Sequence, residues 1–163
     1  VDETCELTTT RLKSADLTIL VDSREQLPLR FRELRSERAT LKTGDYSVRA
    51  GNLDLRDVVA IERKSVADLV GSLGAGRERF ERELERLSRI RWRALVVEGE
   101  MRDIAAGTRH STLTPRQIMS PLLAWTWKYG LPVWSAPDRA WAARMVELLL
   151  WHAARYALKE RKE

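Results

Sequence analysis

The feature that most constrains this chain is the run Val58-Val59-Ala60-Ile61, which passes without a break into Glu62-Arg63-Lys64-Ser65. An apolar, β-branched segment of this kind reads as a buried strand. Residues two apart on a strand share a face. Glu62 and Lys64 therefore project side by side from the end of a buried sheet, which costs stability unless something pairs with them. Gly44-Asp45-Tyr46 lies upstream and offers a second carboxylate from a neighbouring strand or turn. Two hard oxygen ligands beside a Lys form a donor set suited to Mg²⁺ and to cutting phosphodiesters. The ordinary alternative is an ion pair at a strand end, which is common and worth little.

The rest of the sequence frames that run. A chain of 163 residues with 44% hydrophobic content is one domain able to bury its own core. The net charge is +5 and the excess is mainly Arg, whose planar fork grips phosphates; a merely basic, solvated surface is the plainer reading. Cys5 is the only cysteine, so no internal disulfide forms, which suits a reducing, cytoplasmic setting. No apolar stretch approaches the roughly 20 residues of a membrane span, no signal-peptide pattern opens the chain, and no P-loop is present.

Residues 1–16 read as a polar arm and 17–163 as the folded domain. Leu17 to Val21 is a buried strand ending at Asp22. The charged stretch Arg30 to Arg38 reads as a loop or short helix. Thr40 to Val48 and Leu53 to Glu62 read as antiparallel strands joined by the polar turn Arg49-Ala50-Gly51-Asn52. Ser65 caps a helix through Leu73, with Asp68 placed as in a capping box. Arg77 to Ile90 carries Phe80, Leu84 and Leu87 on one helical stripe. Trp92 to Val97 is a strand, and 99–113 a polar loop. Thr114-Pro115 starts a helix to about Tyr129. Leu131 to Trp134 is a short strand, and the last helix runs from Pro137 or Asp138 to about Lys159. The order predicts an α/β fold, a central mixed sheet flanked by helices.

At these residues the sequence resembles the XPF-type (ERCC4-domain) nucleases, a branch of the PD-(D/E)XK superfamily with a restriction-endonuclease-like fold. Their GD…ERKxxxD pattern is filled here by Gly44-Asp45, Glu62-Arg63-Lys64 and Asp68. Val21-Asp22-Ser23-Arg24-Glu25 looks like the family's first-strand DxRE element, and Leu95-Val96-Val97-Glu98 like its strand ending in Glu. The resemblance implies a metal-dependent DNA endonuclease. Asp22, Asp45 and Glu62, with the backbone carbonyl after Glu62, would hold Mg²⁺ or Mn²⁺. Lys64 would orient the attacking water or offset charge growing on phosphorus. Arg63 alternates with these residues and points to the other face, with catalysis or structural pairing as its role. Asp68 is read as a helix cap or as a direct participant.

Asp22 also fits simple turn chemistry. Arg24 either anchors a phosphate or pairs with the acids. Arg77, after a glycine-rich lead into its helix, matches a DNA-backbone position of the family; most other Arg residues of that helix read as solvated i,i+4 partners of Glu. Five tryptophans (Trp125, Trp127, Trp134, Trp141 and Trp151) lie in the final third. The last helix is apolar on more than one side, which, with the family likeness, points to a homodimer through that helix. The implied substrates are branched or flap DNA in repair or recombination. Family members often carry paired helix-hairpin-helix motifs, and no paired glycine hairpin is seen here. The alternatives are a non-catalytic DNA-binding or scaffolding subunit, and a protein-interaction module built on the last helix.

Overall fold

The computed structural model describes residues 12–161. Most of the predicted polar arm, and Cys5 with it, lies outside the described residues; Ser14–Asp16 form a single 3-10 turn leading into the first strand. The strands are β1 (Leu17–Asp22), β2 (Arg35–Ala39), β3 (Tyr46–Ala50), β4 (Leu53–Asp54), β5 (Val59–Ser65), β6 (Trp92–Glu98) and β7 (Val133–Ala136). The α-helices are α1 (Val66–Leu73), α2 (Arg77–Ser88), α3 (Met101–Ala106), α4 (Pro115–Lys128) and α5 (Arg139–Glu160). The seven strands form one sheet in the order β2-β1-β3-β5-β6-β7, with β4 pairing β3. Pairs β1–β2, β5–β6 and β6–β7 are parallel, whereas β1–β3 and β3–β5 are antiparallel. The fold is therefore α/β with a central mixed sheet between helical layers, as the sequence predicts.

Each sheet face has its own core. Val59, Ile61, Val48 and Val96 pack against Val146, Leu150 and Ala154 of α5. Ala60, Leu95 and Val97 pack against Phe80 and Leu84 of α2 and Leu122 and Trp125 of α4. The two-residue side-chain alternation then assigns the charged end of β5. Glu62 and Lys64 continue the Ala60 face towards α2, and Arg63 continues the Val59–Ile61 face towards α5. The helix starts follow the predicted chemistry: the Ser65 hydroxyl accepts from the Asp68 amide at 3.0 Å, Thr114 and Gln117 form a capping box, and Asp138 caps α5.

Four local expectations are corrected. Arg35–Ala39 is a strand, not loop or helix: it lies at the sheet edge, parallel to β1, with side chains exposed, so no apolar alternation marks it. The second antiparallel segment is broken into β4 and β5 by the turn around Leu55–Val58. Met101–Ala106 is a short helix within the predicted polar loop. The last strand begins at Val133, because the carbonyl of Pro132 only receives the Leu95 amide at its mouth. No helix among the described residues is long and apolar enough to cross a membrane.

Candidate active site

The acids meet at one end of the sheet by register. Val21 pairs with Tyr46, and Tyr46 with Ile61; one step further along these strands come Asp22, Asp45 and Glu62. The main chain continues the pairing there, with the Asp22 amide donating to Asp45 O and the Asp45 amide to Ile61 O, both at 2.9 Å. Gly44 permits the approach. It adopts φ +77°, and a Cβ on it would lie 3.0 Å from the Ile61 carbonyl oxygen and 3.1 Å from the Ala60 Cβ, so both conformation and space favour glycine. The Asp45 Oδ2 then accepts the Arg63 amide at 2.8 Å, tying the carboxylate to the strand that carries Glu62 and Lys64. Asp22, Gly44, Asp45, Glu62 and Arg63 line a cleft of about 980 Å³, and Lys64 is not among its lining residues.

Electrostatics single out two acids. Burial lifts the Asp45 carboxyl to about 6, with Glu25 adding to the rise and the Arg63 amide and Lys64 opposing it. Burial lifts Glu62 to about 8, and the Asp45 charge adds to the rise while Lys64 opposes it. Desolvation and like charge both disfavour the ionised pair. The Lys64 Nζ lies 3.6 Å from Glu62 Oε1 and 4.3 Å from the centre of the Phe80 ring. That ring packs edge-on to Trp125 at 5.4 Å. The ammonium is thus held between a carboxylate and an aromatic face. Two carboxylates opposed by burial and by each other fit a hard divalent cation of the Mg²⁺ or Mn²⁺ kind, which commonly takes one or two protein carboxylates and completes its shell with water and substrate phosphate.

The predicted trio does not close around one point. Among the described residues no three His, Cys, Asp or Glu side chains are grouped to hold a metal ion. Asp22 is buried on the same sheet face, but its Oδ2 takes the Arg24 Nε at 2.8 Å and its Oδ1 the Leu41 amide at 3.4 Å. Its carboxylate is thus shared with Arg24 and the Leu41 amide, while Asp45 and Glu62 carry less internal compensation. Arg24 pairs with the acid and donates to Leu41 O, fixing the β1–β2 loop. Asp68 lines the cleft, and its carboxylate receives the Ser65 hydroxyl at 2.7 Å and not the Ser65 amide, so Ser65 caps the helix without the expected full capping box. Arg77 lies outside the cleft lining and pairs with Glu81 at 3.3 Å; Arg79 and Arg86 are the α2 arginines that line it.

On the opposite face, the Arg63 Nε bonds Glu98 Oε1 at 2.5 Å, its Nη1 donates to Leu27 O at 3.1 Å, and Glu25 lies 3.6 Å away. Arg139 donates to Leu27 O and Pro28 O at 2.7 and 2.8 Å. Four charged groups from the β1–β2 loop, β5, β6 and α5 are thereby locked together in the wall of the cleft. Glu98 is foreshadowed by its place at the end of an apolar strand. Arg139 and Phe80 carry no local signal of a site role, since one opens a helix and the other fits a core stripe.

The chain has likenesses among known proteins. The "3'-flap repair endonuclease Xpf" of Saccharolobus solfataricus is 36% identical over 94 residues, 57% of this chain and 38% of that protein. The chain thus spans well under half the length of that curated relative. The structure titled "XPF from Aeropyrum pernix" superposes with a TM-score of 0.64 at 22% identity, over 82% of this chain and 59% of that one. Its complex with DNA gives 0.66 at 21% identity, over 85% and 66%. At that identity the likeness is one of fold. The ERCC4 domain itself matches residues 5–149, nearly the whole chain, and the chain belongs to the ERCC4 domain family.

Proposed function

We propose that this chain is a metal-dependent DNA endonuclease acting on branched or flap structures in repair or recombination. The observation that carries the reading is the under-compensated pair Asp45 and Glu62 beside Lys64, in a cleft rimmed by Arg24, Lys42, Arg79 and Arg86. Asp45 and Glu62 would hold Mg²⁺ or Mn²⁺. That ion, when bound, polarises the scissile phosphate and acidifies a water. Asp45 is fixed for this task by the Arg63 amide. Lys64, poised by Glu62 and Phe80, donates to a phosphate oxygen or to the attacking water, where its charge counts most as negative charge builds on phosphorus. Arg63, through Glu98 and Glu25, positions β5 against the β1–β2 loop rather than touching the phosphate. By family likeness the products carry a 5′-phosphate and a 3′-hydroxyl. The basic rim draws in the DNA backbone, and the last helix offers a surface for a homodimer.

The test is cleavage of labelled flap, fork and linear duplex DNA with Mg²⁺ or Mn²⁺. Asp45→Ala and Lys64→Ala should each cut at least about 10³-fold more slowly than wild type, while circular dichroism shows an intact fold. Well-folded wild type that binds DNA and cuts none of the three substrates would overturn the reading and favour a non-catalytic subunit.

A further inference from the structure

Beside the acid-lined cleft lies a second groove of about 640 Å³, between the β1–β2 loop and the first turns of α5. Arg139 lines both hollows, so the two are neighbours. Four arginines, Arg30, Arg32, Arg139 and Arg144, face this groove together with Trp141. Its two acids both have partners within the chain, Glu147 buried and Glu33 at the surface. Glu147 Oε1 accepts the amides of Arg32, Glu33 and Leu34, and Glu33 pairs with Arg144. Arg139 is held by the Leu27 and Pro28 carbonyls and has Glu98 at 3.9 Å, so the free charge of the groove rests on Arg30 and Arg32. Arg30 and Arg32 are exposed and make no ion pair among the described residues. Trp141 is 56% exposed, an unusual place for an indole with no apolar cover.

Unpaired guanidinium groups beside an exposed indole form a surface suited to nucleic acid: the charges follow phosphates and the ring stacks on a base. Stacking on a side chain needs a base free of its own stack, which a single strand offers and an intact duplex does not. We propose that this groove is the path of a single DNA strand running to or from the acid-lined cleft, with Arg30 and Arg32 on phosphates and Trp141 against a base. The assignment rests on the nuclease reading above and names the part of the substrate that reading leaves open.

The test is anisotropy of a short labelled oligothymidylate, titrated in EDTA over a range of salt. The Arg30→Ala/Arg32→Ala double variant should weaken binding about tenfold and lower the slope of log affinity against log salt by about 1.4, the value for two lost phosphate contacts. Trp141→Ala should weaken binding about tenfold with the slope unchanged, and Trp141→Phe should restore most of it. Binding by all three variants within about twofold of wild type, with unaltered slopes, would overturn the proposal. So would a Trp141→Ala protein that binds normally but loses a dimer in sedimentation, which would make the ring a protein contact. Because binding is read without metal, wild type that uses the groove yet never cuts overturns the nuclease reading alone. Efficient cutting with the groove variants unaffected overturns the strand path alone.

Discussion

Glu147 and the Asp45–Glu62 pair are carboxylates withdrawn from water, and the fold treats them in opposite ways. Glu147 is 3% exposed; one of its oxygens accepts three consecutive backbone amides at 2.9–3.0 Å, and Arg144 lies 3.9 Å from the other. Asp45 receives the Arg63 amide, while Glu62 has the Lys64 ammonium at 3.6 Å, and each acid repels the other. Burying a charge is costly unless hydrogen bonds replace water. Where they do, as at Glu147, the carboxylate anchors the β1–β2 loop to α5. Where they do not, the protein keeps a local strain that a cation would relieve, a pattern concentrated at functional sites.

The largest effect on stability should come from breaking the satisfied side of this contrast. Glu147→Ala strands three buried amides, and urea unfolding should show a loss of about 3–5 kcal/mol. Glu147→Gln keeps an acceptor oxygen and should lose less than half of that. The under-satisfied side should respond in the other direction. The folded-state values of Asp45 and Glu62, about 6 and about 8, lie above the ordinary carboxylate values of 3.8 and 4.5, so the folded state binds more protons. Metal-free stability should therefore fall as pH rises from about 4 to about 8. Glu62→Gln should flatten that fall and be more stable than wild type at pH 8 by on the order of 1–3 kcal/mol. Adding Mn²⁺ should raise the wild-type Tm at pH 8 and scarcely at pH 5; a Tm independent of pH and metal would remove the strain from the account. The smallest effect belongs to the helix start. Ser65→Ala should cost about 1 kcal/mol in thermal unfolding without the loss of cleavage that Lys64→Ala causes.

Much of the cleft was legible because its parts are local. Two-residue alternation puts Glu62 and Lys64 on one face, and Ser65 and Asp68 announce a helix start. What escaped depends on distant partners. Arg35–Ala39 has the composition of a solvated loop and is a strand only because β1 offers it a parallel edge. Glu147 sits in an apolar helix, and nothing in its neighbourhood says that three amides over a hundred residues earlier will cover it. Asp22 shares a face with the other acids, yet its own neighbour Arg24 engages it, a choice that spacing cannot show. Nor does sequence tell the late tryptophans apart: Trp125 is buried, whereas Trp127 and Trp141 are largely exposed.

The close approach of Gly44 to the Ile61 carbonyl also bears on how this protein can change over generations. The spacing of the two key acids is set by main chain meeting main chain, not by the length of the segment that joins them. The exposed turn Gly51-Asn52 between β3 and β4 lies on the far side of that contact from the cleft. Insertions, deletions or grafted loops there would lengthen or shorten the detour without moving its ends. The catalytic spacing and the loop repertoire are thus free to diversify separately, and this segment is the natural place to engineer a tether or a new recognition element.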